Sequence, residues 1–292
     1  MLKASLICYT ARATGLASIL KSAASQQFFE PWELIIVDAF KEERHELVKT
    51  LWNILRPEVP LKHLSPLSPL EERPRHCWDI PLFINTAWTN AEGEVLAHIE
   101  DHMCFGLDWL KNHVEFTRQH PNLAAIGDVK DEPSFDESAP THYGHPLTEQ
   151  VQKQWDWKLN SVVNDPTLFK CMNAENYGYW LTGNMSVCLD TLLKASIIYG
   201  GTYESPTHYP ESTVAPMFFN YGVSMYALPG ITAWHKKHPA HGIAGKIMRL
   251  TETNMCLYED IQQQHFNDID KYIKVQKRNL IEERKRLGYW IP

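Results

Sequence analysis

Apolar and polar positions fall in blocks along this chain, and the blocks lay out an α/β protein. Residues 3–9 (KASLICY) form a short apolar run that stops at Thr10, Ala11 and Arg12, which predicts a first buried strand. From Gly15 to Gln27, Leu16, Ile19, Leu20 and Ala23 recur at helical spacing. Trp32–Val37 (WELIIV) reads as a second strand and ends in Asp38. Glu42–Leu55 is charged and amphipathic, a second helix, and runs into a proline-rich extended connector over Pro57–Pro74. Strand, helix, strand, each strand closing on a polar residue, predicts a parallel sheet of the nucleotide-binding α/β class.

The stretch Ala91–Leu110 (AEGEVLAHIEDHMCFGLDWL) carries the densest chemistry. A turn at Ala91–Gly93 leads into an apolar strand, Glu94–Ile99. Glu100, Asp101 and His102 follow, and a helix is expected to start near Leu107. A buried strand that ends in two carboxylates and an imidazole places ligand groups at the carboxyl edge of a sheet, where open α/β sheets bind. Carboxylates with one imidazole suit Mn²⁺ or Mg²⁺ better than a structural zinc.

Beyond it, Leu123–Val129 is a further strand and Asp131–Thr148 an acidic, proline-containing loop. Residues 150–180 are rich in aromatics, among them Trp155, Trp157 and Trp180, which serve either a core or a stacking platform. Tyr179–Val187 leads into a helix over Asp190–Ser196, and Val223–Leu228 is a late strand. From Ile243 the pattern turns helical. Residues 261–287 interleave lysine and arginine with glutamate, the usual pattern of a solvated helix face.

Composition narrows the class without naming it. The 292 residues, 44% hydrophobic and 22% charged, are those of an ordinary globular protein. A net charge of −7 offers no global attraction to nucleic acid or anionic membrane. Six cysteines without a C-x-x-C pair, several inside apolar runs, predict reduced thiols and a cytoplasmic protein. No apolar run approaches the ~20 residues of a membrane span, and the N-terminus does not read as a signal peptide.

The string around Glu100 resembles the segment that carries the Asp-x-Asp motif in family 2-like glycosyltransferases with a GT-A fold. Glu100 and His102 stand where the two aspartates would be, and Trp109–Leu110 matches the helix opening. The segment from Ser5 to Phe40 resembles the opening of that family, with Asp38 at its first aspartate and Ala39 in place of the second. The stretch from Tyr209 to His235 resembles its Glu-Asp element, with Glu211–Ser212 as the variant pair.

The resemblance implies a mixed, mainly parallel sheet flanked by helices over residues 1–240, with a helical C-terminal extension over 241–292. It implies transfer of a hexose or pentose from a nucleotide-sugar, a UDP-sugar first among candidates, to an acceptor hydroxyl. Glu100, His102 and His235 would hold Mn²⁺ or Mg²⁺, and Glu211 would serve as catalytic base in place of the acid lost at Ser212. Thr10, Arg12, Asp38, Asn85, Asp101, Gly183, Asn184, Lys236 and Lys237 would bind the donor.

Two other readings stay open. The acceptor could be a modified DNA base of the hydroxymethyl-pyrimidine type instead of a glycan. The changes at His102 and Ser212 are equally those of a non-catalytic relative that binds nucleotide-sugars or glycans. Against a zinc-hydrolase reading of His98–His102 stand its misplaced glutamate and its position after a strand, although strand alternation puts His98, Glu100 and His102 on one side. No Gly-x-Ser-x-Gly elbow, Walker loop or Gly-x-Gly-x-x-Gly fingerprint is present.

Overall fold

The computed structural model describes residues 2–10, 15–66, 80–132, 183–195, 224–236 and 284–289. Eight strands form one sheet: β1 (Ala4–Thr10), β2 (Trp32–Asp38), β3 (Leu61–Leu64), β4 (Val95–Glu100), β5 (Met103–Phe105), β6 (Leu123–Glu132), β7 (Asn184–Cys188) and β8 (Ser224–Lys236). Their order is β3-β2-β1-β4-β7-β6-β8-β5. The first four sit side by side in parallel, β7 runs antiparallel to β4 and β6, and β5 runs antiparallel to β8. The helices are α1 (Leu16–Ala24), α2 (Lys41–Leu55), α3 (Ile80–Asn90), α4 (Trp109–Gln119) and α5 (Leu189–Ala195).

Every residue of β1 and β2 is buried, because helices cover both faces. Alternate residues divide between two cores. Leu6, Cys8, Leu34, Ile36, Ala97 and Ile99 pack against α1, α2 and α4, where Leu20, Trp52 and Trp109 close the layer. Ile7, Tyr9, Ile35, Val37 and Leu96 face α3 and α5, with Trp88 and Leu192 beneath them. Fully burying such a side chain stabilises by roughly 1.5–3 kcal/mol, so these two layers carry most of the fold.

Three elements differ from the sequence reading. The proline-rich connector holds β3, because Leu61–Leu64 lies free of proline and pairs in parallel with β2. The polar turn after β4 leads into β5 before α4 begins, and Met103, Cys104 and Phe105 are all buried. The late strand runs through Pro229–Gly230 as far as Lys236, since β8 skips Pro229, Gly230 and Ile231 between its pairings with Gly127 and Asp128. Proline has no N–H to offer the ladder, so the bulge falls there. The expected boundary at residue 240 and most of the extension lie outside the described residues.

The bulge has a spatial role. Only Asp101 and His102 separate β4 from β5, yet three strands intervene between them in the sheet. Four strand spacings amount to about 19 Å, and the link from Glu100 to Met103 spans at most about 11 Å. The ribbon of β6 and β8 beyond Gly127 must therefore fold back over the end of β4. His235 arrives opposite Met103 in that way.

The short segment at 284–289 docks on α3. Arg284 is 2% exposed. Its Nη1 donates to the carbonyls of Trp88 (2.8 Å), Thr89 (3.1 Å) and Ala91 (2.9 Å), the orphan acceptors of a helix C-terminus. This side chain belongs to a run expected to be solvated, and here it is a buried cap.

Candidate active site at the carboxyl edge of the sheet

Thr10, Asp38 and Glu100 end β1, β2 and β4, so the parallel strands bring them to one edge. Tyr9 lies opposite Glu100 in the β1–β4 register, and its hydroxyl donates to Glu100 Oε1 at 3.0 Å. Thr10, on the other face, donates to Asp101 Oδ2 at 2.7 Å. Each carboxylate of the motif is thereby fixed by a hydroxyl from the neighbouring strand.

Backbone shape sets the remaining geometry. His102 adopts φ 58°, a left-handed conformation uncommon for a residue other than glycine. The turn lays its imidazole over Gly15 at the start of α1, where a Cβ would stand 2.4 Å from His102 Cδ2. Gly15 itself has φ 93°, so both the space and the dihedral call for glycine. Gly183 plays a similar part beside Glu100: a Cβ there would meet Glu100 Cδ at 3.2 Å and Met103 Cε at 2.7 Å. His235, half-buried on β8, pairs with Met103 and also lies opposite Asp131 of β6.

No family model and no curated protein sequence matches this chain. Solved structures of similar fold include those of S. aureus TarS residues 1–349. One aligns with TM-score 0.52 and 16% identity over 80% of this chain and 60% of that one. The same protein in complex with UDP gives 0.51 and 17% over 82% and 61%. Its complex with UDP-GlcNAc gives 0.51 and 15% over 83% and 61%. The fold is GT-A-like. This chain spans about 60% of the length of those structures.

Within the GT-A-like sheet, several expected site residues are engaged by protein partners. Asn184 points into the α4-side core, not toward the edge. Its Oδ1 accepts from Trp109 Nε1 (2.9 Å) and lies 2.9 Å from His113 Nε2, and its Nδ2 donates to Ile231 O (2.9 Å). Its amide closes over Gly127, so it is a structural hub beneath the bulge. Asp38 is fully buried, with both oxygens engaged. Arg44 Nε donates to Oδ2 and Nη2 to Oδ1, each at 2.6 Å, Phe40 N donates to Oδ1 at 2.8 Å, and His63 Nε2 lies 2.9 Å from Oδ2. These bonds outweigh burial and hold the Asp38 carboxyl below the usual carboxylate range.

The expected metal triad is not preassembled. Among the described residues, no three His, Cys, Asp or Glu side chains converge on a cation-sized point. The reason is the left-handed turn, which lays His102 against α1, while Glu100 sits on the opposite face beside Gly183. A cation that also takes phosphate oxygens needs only one or two protein carboxylates. The donor set of Glu100, His102 and His235 fits a cation shared in that way.

The field at this edge is negative. Burial pushes the Cys8 thiol well above its ordinary range, and the charges of Asp101 and Asp38 push it further. Asn85 lies in α3 and Lys236 ends β8 opposite Glu132, with only their backbones described. Arg12, Glu211 and Lys237 lie outside the described residues. Among the described residues, no helix is long and apolar enough to cross a membrane.

Proposed function

We propose that this chain is a metal-assisted glycosyltransferase that moves a sugar from a nucleoside-diphosphate sugar, a UDP-sugar first, to an acceptor hydroxyl. The observation that carries this reading is the carboxylate edge itself. Glu100 ends β4 and Asp101 follows it, the two are braced by Tyr9 and Thr10, and the fold-back of β8 brings His235 opposite Met103, three residues beyond Glu100. The TarS structures of similar fold were solved with UDP and with UDP-GlcNAc, which motivates the choice of nucleotide.

Mn²⁺ or Mg²⁺, held by Glu100, His102 or His235, would act as a Lewis acid toward the charge that develops on the leaving diphosphate. Thr10, Arg12 and Asp101 would position the nucleoside, with Asn85 beside them and Gly183 leaving room for the sugar. Asp38 would act through its hold on Arg44. Lys236 and Lys237 would neutralise the diphosphate. Glu211 would take the acceptor proton as the hydroxyl oxygen attacks the anomeric carbon.

Thermal unfolding with UDP, GDP or CDP, each with and without Mn²⁺, tests the donor site. One nucleotide is expected to raise the midpoint only with metal, and a ligand at a hundred times its Kd stabilises by about 2.7 kcal/mol. Glu100→Gln should abolish the metal-dependent part. If no nucleoside diphosphate shifts the protein in either condition, the transferase reading is overturned. Release of UDP from a UDP-sugar then separates an enzyme from a non-catalytic binder, and glycan and modified-DNA acceptors are compared in the same assay.

A further inference from the structure

We propose that His45 and His63 form a second cation site, for a borderline transition metal with Zn²⁺ in the first instance, three strands along the sheet from Glu100. His45 lies on α2 and His63 on β3, and their Nδ1 atoms stand 3.2 Å apart. The rings are stacked, with centroids 5.3 Å apart and planes inclined by 25°.

Tautomers follow from the partners. Asp38 Oδ2, an acceptor, lies 2.9 Å from His63 Nε2, so Nε2 carries the proton. A neutral His63 then presents a bare lone pair at Nδ1. His45 Nδ1 faces His63 Nδ1 at hydrogen-bond distance, so one hydrogen lies between the two nitrogens and a cation would displace it. Two lone pairs at 3.2 Å repel unless a proton or a cation lies between them.

The spacing suits a cation. Two nitrogens bound to one tetrahedral zinc at about 2.0–2.1 Å stand about 3.3 Å apart, so the pair needs almost no rearrangement. Imidazole nitrogens select zinc, copper and nickel over magnesium or calcium. Behind the pair, Asp38 supplies the carboxylate that orients a metal-bound histidine and raises its basicity. Arg44 and Phe40 N lock that carboxylate in turn. The His63 side chain is inaccessible and that of His45 is 36% exposed, so solvent reaches the pair from one side and can complete the coordination. Charged groups beside this pair include Asp38 and, 4.0 Å from His45 Nε2, Glu46, with Arg44 bound to Asp38. A bound cation would staple α2 to β3 at the sheet edge.

The test is a titration of the full chain with Zn²⁺, in competition with Co²⁺ as the absorbing probe. One equivalent should bind at least tenfold more tightly to the natural protein than to His45→Ala, whose partly exposed side chain can be removed without opening the core. Binding should weaken in acid, where protons compete with the metal for the imidazole nitrogens. Glu100→Gln should bind Zn²⁺ as the natural protein does. Equal affinities for the natural protein and His45→Ala would overturn the proposal. So would loss of the tight site in Glu100→Gln, which would place the ion at Glu100.

Discussion

At the scale of single residues, two positions decide whether the edge keeps its shape. Gly15 combines a left-handed dihedral with a 2.4 Å approach to His102. Gly15→Ala should lower stability by about 1–2 kcal/mol from the dihedral alone, and more from the clash, measured by urea unfolding. Adding His102→Ala should return the clash contribution and leave the dihedral one, so the double mutant should be the more stable of the two. Asn184 is the second such position. Asn184→Leu strands Trp109 Nε1, His113 Nε2 and Ile231 O in the core, and unsatisfied buried groups cost about 1–3 kcal/mol each. A large loss of stability is expected; loss of nucleotide binding at unchanged stability would instead support the donor-binding role. None of this was readable in the chain. A Gly-Asn pair is an ordinary turn signal, and the partners that fix Asn184 lie 75, 71 and 47 positions away. Asp38 was legible as a strand end because the apolar run stops there, but Arg44 and His63, which saturate it, are polar residues in an amphipathic helix and a proline-rich connector.

At the scale of elements, legibility tracked length and burial. Long apolar runs such as WELIIV announced β2, whereas the three residues of β5 and the four of β3 are too short for a period to show. The C-terminal segment shows the same limit. Arg284 reads as one cation in a mixed-charge run, yet it caps α3 through three carbonyls and lies under the Tyr289 ring, which is 5.2 Å away. Arg284→Met keeps much of the packing and removes the donors. It should cost about 1.5–3 kcal/mol, the range for hydrogen bonds to a charged group, and should raise amide exchange at the C-terminal end of α3. Unchanged exchange there would mean that the segment does not hold the helix.

At the scale of the whole molecule, proton linkage and topology set the expectations. His98 accepts from Trp88 Nε1 at 2.7 Å and His113 lies 2.8 Å from Ser186 Oγ. Both are fully buried, and burial lowers their pKa to about 3 and about 4, far below the ordinary 6.5. The unfolded chain binds these protons first, so the stability they contribute is complete above pH 6.5. It is lost as pH falls from 6.5 toward 4 for His113 and toward 3 for His98. Stability should fall by about 1.4 kcal/mol per pH unit for each of the two through pH 5. His98→Gln, which keeps an acceptor for Trp88, should remove one proton from that slope in urea midpoints taken across the range. The bulge in β8 acts at this scale as well. Because the covalent link from β4 to β5 is so short, the path from β4 through β7, β6, β8 and β5 returns to its own starting point. It is a loop of four hydrogen-bonded ladders closed by the covalent Asp101–His102 turn, with Glu100 and His235 beside that turn. No strand in such a loop can slip register by itself, so the distance between those two side chains is a property of the entire circuit. Opening any one rung should therefore expose the amides of β5, β6, β7 and β8 together, while β4 stays paired with β1.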